Sequence, residues 1–415
     1  MKSDFFCASE FIIIGNSIWF VPLGYRYLCC YDIEQKKMLK QFLIPNNERQ
    51  VSLYESVVFV ENKLFFIPYA ADYFLIFDFA RMEFEMISIE AYKTRGIGFY
   101  ANCIYKEFIY FFPRSRERFA HNNCIIGRIN LKTYEIVYQD LQELCQNKPD
   151  TELLQILFRK ELFLDGNTVY LLYKEGGVLQ IKLSEEENII EEVKLLGGQY
   201  FFTSVCSIDL RKIYFTDNRG KIQYYDKDTY QLKNLDYHID NFVPIKDKYW
   251  YSECFSYSVQ YYTYIYLFPS EANMVLQVDI DNMTVEEAFF SKRICADKEN
   301  FEYSFGQFSK PYIKMDNLFV WNIWSGYFYC IDLFSKEIKE IKIDAFMKEE
   351  ELFYSCSDWY AENEVIKETS LLYSNLESVL WYLKTSKESV QHKKSIDSIT
   401  GGMVGENIWS KMKEE

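Results

Sequence analysis

The sequence predicts an all-β fold built from seven copies of a four-stranded unit, with a short helical appendage at the C-terminus. Three observations carry that expectation. A short apolar segment with an aromatic residue at its second position recurs seven times over about four-fifths of the 415 residues. Phe and Tyr supply 35 residues each and Trp seven more, and aromatic side chains favour strands. Each apolar segment is followed, after a short loop, by a strand that ends in Asp in five of the copies.

The seven copies are Ile18-Trp19-Phe20-Val21, Leu64-Phe65-Phe66-Ile67, Ile109-Tyr110-Phe111-Phe112, Val169-Tyr170-Leu171-Leu172, Ile213-Tyr214-Phe215-Thr216, Ile265-Tyr266-Leu267-Phe268 and Leu318-Phe319-Val320-Trp321. Successive aromatics stand 46, 45, 60, 44, 52 and 53 residues apart, the mark of a repeat architecture. A strand with one wet face would alternate apolar and polar residues. These do not, so each is expected to be buried on both faces between two neighbouring sheets. Pro22, Pro68, Pro113 and Pro269 follow four of the copies and would end the strand by withholding an N–H from the ladder.

The next strand ends at Asp32, Asp78, Asp226, Asp279 or Asp332, with Asn130 and Lys182 in the remaining two copies. An Asp there accepts hydrogen bonds from backbone two residues on and closes a tight turn, which is the role read for this ring of carboxylates. A strand of mixed polarity follows, as in Ile338-Lys339-Glu340-Ile341-Lys342-Ile343, suited to an outer edge where charge blocks edge-to-edge pairing. One more strand precedes each doubly apolar segment, as in Phe11–Ile14 and Gln307–Met315. Seven such units fill roughly residues 5–343.

This pattern resembles the β-propeller, in which four-stranded blades stand radially around a channel. The stretch Ile213-Tyr214-Phe215-Thr216 followed by Gly220-Lys221-Ile222-Gln223-Tyr224-Tyr225-Asp226 is similar to the generic blade of the Kelch, WD-type and quinoprotein-like groups. The resemblance implies a seven-bladed β-propeller of four-stranded antiparallel blades over residues 1–343. No Gly-His…Trp-Asp signature, Gly-Gly-Tyr-Trp set or Ser-x-Asp-x-Gly-x-x-Trp box occurs, so it extends to architecture and to no functional family.

Residues 344–415 break the pattern. Leu376, Val379, Leu380 and Leu383 form one helical stripe capped by Ser374 or Asn375, a reading that competes with an eighth blade through Leu380-Trp381-Tyr382-Leu383. Lys384–Gly402 reads as a polar linker, and Val404–Lys413 as a second short helix carrying Trp409. These helices would cover part of the propeller or dock a partner.

A formal net charge of −15 argues against nucleic acid or an anionic membrane surface as partner. No apolar run approaches a membrane span, and the first residues lack the pattern of a signal peptide. The eleven cysteines show no CxxC spacing and read as free thiols of a cytoplasmic protein. His121, His238 and His392 are too few and too scattered for a zinc site, so no metal or other cofactor is expected. Richness in Lys, Ile, Asn, Tyr and Phe is associated with AT-rich bacterial genomes.

Catalytic motifs are missing from the sequence. There is no Gly-rich phosphate loop and no nucleophile elbow, and the Glu185–Glu187 and Glu349–Glu351 runs read as solvated faces. Function is therefore sought in the loops. Propellers usually bind on the face carrying the loops between second and third strands and those joining blades. The first set includes Tyr25–Tyr27, Tyr69–Tyr73, Arg114–Asn123, Lys174–Gly177, Asp217–Gly220, Ser270–Asn273 and Trp324–Tyr327. The second includes Asn46–Gln50, Lys93–Gly98 and Lys248–Glu253.

Arg114–Asn123 is the longest of its class and gathers Arg114, Arg116, Arg118 and His121. With Arg26, Arg95, Trp250 and Trp324 it defines a candidate binding face for a protein, peptide or glycan. The first functional expectation is thus a non-enzymatic binding or scaffolding protein. The alternative is a carbohydrate-active hydrolase or lyase, with a carboxylate pair drawn from separate blades.

Overall fold

The computed structural model describes residues 8, 10–22, 27–45, 54–68, 71, 73–89, 98–114, 125–140, 158–173, 177–184, 190–196, 202–208, 211–217, 219–229, 231–244, 254–295 and 306–343. They form seven four-stranded antiparallel sheets, each made of four consecutive strands, arranged as the blades of a propeller. All seven lie in one compact unit, Asp4–Phe346. The two C-terminal helices read from the sequence fall outside the described residues.

Blade 1 holds β1 (Phe11–Ile14), β2 (Ser17–Phe20), β3 (Tyr27–Asp32) and β4 (Lys37–Leu43). Blade 2 holds β5 (Tyr54–Val60), β6 (Lys63–Pro68), β7 (Tyr73–Asp78) and β8 (Glu83–Ser88). Blade 3 holds β9 (Gly98–Tyr105), β10 (Phe108–Arg114), β11 (Ile125–Asn130) and β12 (Ile136–Asp140). Blade 4 holds β13 (Phe158–Asp165), β14 (Thr168–Tyr173), β15 (Gly177–Leu183) and β16 (Ile190–Leu196). Blade 5 holds β17 (Phe202–Ile208), β18 (Lys212–Asp217), β19 (Ile222–Asp226) and β20 (Gln231–Leu235). Blade 6 holds β21 (Phe255–Tyr261), β22 (Tyr264–Pro269), β23 (Leu276–Asp279) and β24 (Thr284–Glu287). Blade 7 holds β25 (Tyr312–Lys314), β26 (Asn317–Trp321), β27 (Tyr327–Asp332) and β28 (Ile338–Lys342). The one described helix, α1 (Ser291–Ile294), is a single turn between blades 6 and 7.

First strands lie innermost. β9 touches β5 and β13, β17 touches β13 and β21, and β21 touches β25. Fourth strands are outermost, and the mixed polarity of β4, β8 and β28 shows as largely exposed positions.

The recurrent apolar segment is the second strand of every blade. Trp19, Phe65, Tyr110, Tyr170, Tyr214, Tyr266 and Phe319 are all buried, none more than 8% exposed. Their register is identical: the residue two before each aromatic pairs with the Asp position of the third strand, the strand's last residue in six blades and its penultimate residue, Lys182, in blade 4. The pairs are Ser17 with Asp32, Lys63 with Asp78, Phe108 with Asn130, Thr168 with Lys182, Lys212 with Asp226, Tyr264 with Asp279 and Asn317 with Asp332.

The prolines act less uniformly than expected. Pro68 and Pro269 are the last residues of β6 and β22, and Pro113 sits within β10, where the ladder shifts register after Phe112. In blade 7 the first strand is shorter than the expected Gln307–Met315. Pro311 cannot donate to the ladder, so regular pairing begins at Tyr312 and only an isolated bridge joins Phe308 to Asn322.

The core is distributed between blades. Trp19, Leu28 and Cys30 of blade 1 pack with Leu64, Phe66 and Phe77 of blade 2. The blade 2–3 interface centres on Phe65, Phe74, Phe99 and Phe111, and the blade 3–4 interface on Tyr110, Phe112, Val169 and Leu171. Tyr170, Ile213 and Phe215 join blades 4 and 5, and further clusters join blades 5 to 6 and 6 to 7. The ring closes through Phe11 and Phe20 of blade 1. Phe20 meets the Trp321 ring at 4.9 Å and Phe11 meets Phe328 at 5.1 Å, both edge-to-face. Among the described residues no sheet mixes strands from the first and last blades.

One face of the ring follows a single rule. The carboxylates of Asp32, Asp78, Asp226, Asp279 and Asp332, and the amide oxygen of Asn130, accept N–H bonds from residues two or three further on. In all seven blades the N–H of the residue after the Asp position donates to a carbonyl of the first hairpin, as Phe79 does to Asn62 at 3.2 Å and Ile280 to Thr263 at 2.9 Å. Met82, Tyr134 and Met283 take positive φ in these turns and lean on the preceding blade. Met283 Sδ, for example, accepts from the Tyr214 hydroxyl at 3.6 Å, and Lys63 donates to the Tyr134 hydroxyl. Blade 4, which has Lys182 at the Asp position, is held otherwise. Its Ser184 carbonyl accepts from Tyr110 Oη and from the buried Arg128 Nη1, each at 2.7 Å.

Replacing Tyr214 by Ala removes a fully buried ring between blades 5 and 6 and should cost roughly 3–5 kcal/mol in urea unfolding. The turn carboxylates predict acid sensitivity. Backbone N–H bonds hold Asp78, Asp279 and Asp332 below their ordinary value, and bonds from Thr229 and Lys233 help take Asp226 from 3.8 to about 2. A carboxylate depressed in the folded state stabilises above its unfolded pKa and loses that contribution as pH falls through the folded one. The urea midpoint should therefore fall between pH 3.8 and about 2, the interval set by Asp226. A variant with Asn at all four positions keeps the acceptor oxygen and should show a shallower fall.

Candidate binding site

The opposite face carries the turns between second and third strands and the segments joining blades. Among the described residues its turns differ: Asp217 and Asn322 side chains cap those of blades 5 and 7, and in blade 6 the Cys254 carbonyl accepts from Ser270, Glu271 and Ala272. In blade 5 the turn after β18 is tight: Asp217 Oδ1 accepts the N–H groups of Arg219 and Lys221 at 2.8 Å each, and Gly220 N donates to the Asp217 carbonyl at 3.1 Å. Gly220 has φ +81°, and a Cβ there would stand 3.0 Å from Cys254 Sγ and 3.2 Å from the Phe242 ring. Glycine is thus required both by conformation and by the close approach of the segment joining blades 5 and 6.

That segment, 236–244, is anchored on two sides. The Tyr237 hydroxyl donates to the Gly220 carbonyl. Asn273, from the turn of blade 6, donates through Nδ2 to the Asn241 carbonyl and accepts from Val243 N, each at 2.8 Å. Phe242 stacks on Phe255 with ring centroids 6.2 Å apart.

Between the Gly220 turn and this segment lies an open groove of about 400 Å³. Its apolar surface comes from Ile222, Leu235, Ile239, Phe242 and Pro244, and Arg219, Lys221, Asn234, Asp236 and His238 supply polar groups. Asp217 does not line it. Burial raises the Asp217 pKa, against the lowering by its two backbone hydrogen bonds. Its carboxylate caps the turn and is not presented to a ligand.

Among the eight residues singled out from the sequence, two fall within the described residues. Arg114 is the last residue of β10, paired with Gly98, and its side chain is not described. Trp324 lies in the turn after β26 and is only 6% exposed, so it offers a partner little area. β10 and β26 are both second strands, whose C-terminal ends emerge on one face of the ring. Arg26, Arg95, Arg116, Arg118, His121 and Trp250 lie outside the described residues.

The groove was not legible as a site. Asp217–Gly220 belongs to the loop set named from the sequence, but its partner wall, residues 234–244, carries no motif. Tyr237 and Phe242 are the only aromatic residues in it, in a chain full of them.

Six described cysteines, Cys29, Cys30, Cys103, Cys254, Cys295 and Cys330, are free thiols. Burial raises their pKa, to about 12 for Cys295, so none is presented as a ready thiolate. Among the described residues no group of three or more His, Cys, Asp or Glu side chains is placed to hold a metal ion, and no helix is long and apolar enough to cross a membrane.

The chain folds as a seven-bladed β-propeller. Its fold is similar to that of the computationally designed Ika8 protein, at 12% identity and a TM-score of 0.49, covering 82% of this chain and 88% of that one. It is also similar to apo AztD from Citrobacter koseri, at 11% identity and 0.46, covering 82% and 86%. The WD40 domain of Neurospora crassa Pan2 gives 9% identity and 0.46, over 76% and 86%. Identities this low bear on fold alone, and the fold rests here on the seven sheets and their common register. No protein-family model matches the chain. No curated protein matches it in sequence.

The Gly220 turn can be tested directly. Gly220→Ala forces a Cβ into positive φ and against Phe242, and should cost about 1–3 kcal/mol in urea unfolding. The unfolding midpoint reads the effect, and an unchanged midpoint would contradict the described packing.

Proposed function

We propose that the protein is a non-enzymatic binding or scaffolding propeller that holds a partner protein, peptide or glycan against the face of its second-to-third-strand turns and blade-joining segments. What supports this reading is the difference between the two faces. One is closed in every blade by the same hydrogen bond to the first hairpin. Such uniformity serves the scaffold. On the other face the described turns of blades 5, 6 and 7 are closed by different groups, and blade 5 carries the groove. Function is placed on variable loops held by a rigid frame because such loops can change without disturbing the core.

The contact set proposed for that face is Arg26, Arg95, Arg114, Arg116, Arg118, His121 and Trp250, to which Trp324, only 6% exposed, adds little area. Arginines gathered in a chain of net charge −15 make a local positive field, and local field steers an acidic partner more than net charge does. The hydrolase or lyase alternative needs convergent carboxylates facing a pocket. At the groove Asp217 is committed to its turn, which favours binding over acid–base chemistry.

Replacing Arg114, Arg116 and Arg118 together with Ala should leave the melting temperature nearly unchanged, since exposed charges contribute little to stability. Partner capture from the native host should weaken tenfold or more, because one lost charged hydrogen bond is worth about 1.5–3 kcal/mol. Capture at undiminished affinity would remove the arginine loop from the contact set.

A further inference from the structure

We infer that the groove of blade 5 receives an extended peptide segment bearing a single acidic residue, which adds along the Asp236–Ile239 backbone and sets its carboxylate against Arg219 and Lys221. This rests on the binding reading above and narrows it to one ligand class at one site.

Three observations converge on it. The first is backbone. The segment 236–239 continues directly from the outermost strand β20 and lines the groove. Among the described residues, the N–H groups of Asp236, His238 and Ile239 form no hydrogen bond within the chain. In an extended segment residues two apart, such as Asp236 and His238, turn their N–H groups to one edge, and such an open edge is what an added strand uses for affinity. Tyr237, between them, is pinned through its hydroxyl to Gly220, and Asn273 fixes the far end of the segment. The template is therefore ordered before a ligand arrives, which lowers the entropic cost of binding.

The second is charge. The side chains of Arg219 and Lys221 are exposed at the groove and enter no ion pair among the described residues. The turn's own amides cannot serve an anion, because Asp217 already occupies the N–H groups of Arg219 and Lys221. Recognition of an acid here must come from the two side chains. Asp236 lines the same groove and repels a second carboxylate, so one acidic residue suits the site and an acidic tract does not.

The third is the apolar floor. Ile222 and Leu235 are buried beneath the groove, and Phe242 and Pro244 wall it. A strand presents alternate side chains to one side, so an apolar residue two positions from the acid would meet this floor. A glycan is the poorer fit: Tyr237 and Phe242 are half-buried and inclined at 55° to one another, with no flat aromatic platform between them.

The experiment is selection of a phage-displayed random peptide library on the full-length protein, followed by fluorescence anisotropy with the recovered peptides. Sequences with one Asp or Glu and an apolar residue two positions away should be enriched. Arg219→Glu with Lys221→Glu should weaken binding tenfold or more, with the variant's thermal melt confirming its fold. Changing the peptide's acid to its amide should cost as much in the wild type and little in that variant, a coupling only a direct pair would give. Hydrogen exchange at Asp236 and His238 should slow in the complex. Failure to enrich any peptide, enrichment of basic peptides, indifference to the charge reversal, or unprotected amides would each overturn the inference. The arginine-loop variant separates this from the broader reading. It should bind the groove peptide within about twofold of wild type. Host-partner capture lost in that variant but kept in the groove variant would leave the binding face standing and remove the groove from it.

Discussion

Everything in this ring depends on second strands that are apolar on both faces. A segment such as Leu64-Phe65-Phe66-Ile67 has no side that water can solvate, so a single sheet facing solvent cannot hold it. Burial of one face commits the blade to its preceding neighbour and burial of the other to its following one. Tyr110 and Phe112 of blade 3 pack toward blade 4, and Ile109 and Phe111 of the same strand pack toward blade 2. Repeating that demand leaves a chain of sheets with an unsatisfied apolar face at each end. Closing the ring removes both.

The closure itself is made by side chains. Phe11 and Phe20 from the first blade enclose Trp321 and Phe328 of the last, and the Trp321 indole donates within its own turn to the Gly326 carbonyl at 3.3 Å. Aromatic pairs of this geometry add about 0.5–1.5 kcal/mol each beyond the area they bury. Among the described residues the seam, like the other interfaces, is made by packed side chains between separate sheets. The polar bonds that cross between blades, such as Tyr261 to Asp316 at 2.7 Å and Lys227 to Asp165 at 2.6 Å, set the angular position of neighbours more than they bind them. Exposed charged contacts of this sort contribute little net energy.

Architecture was legible in the sequence because it depends on features with a period. The aromatic at the second position of each copy and the Asp that ends the next strand recur in step, and both prove to be tied by one register. Even the exceptions have local causes: Pro311 delays β25, and Lys182 is tolerated because Arg128 and Tyr110 hold Ser184 from the adjacent blade. The site was less legible for the complementary reason. A groove formed by Gly220, Asp236 and Phe242 joins residues from a turn and an inter-blade segment, and nothing in either is periodic. Trp324 shows the same limit from the other side. An aromatic in a loop reads as a contact residue, yet here it is folded inward.

The division of labour between the faces follows from chain connectivity. Each blade's two hairpins on one side lie close together, so a turn residue can reach its own first hairpin and the preceding blade at once. Asp capping and the positive-φ residues Met82, Tyr134 and Met283 exploit that proximity. On the other side the chain must leave an outermost strand and travel to the innermost strand of the next blade. That span cannot be a tight turn, and its length is free to vary. The connection from Leu235 to Phe255 makes this journey, and Asn273 and Tyr237 fasten part of it in place. Such a segment can be drawn into the core, as Ala288, Phe290 and Ile294 are between blades 6 and 7, or left open, as residues 236–239 are beside the groove. The groove of blade 5 is one such junction, where the exposed segment has been pinned firmly enough to present a surface.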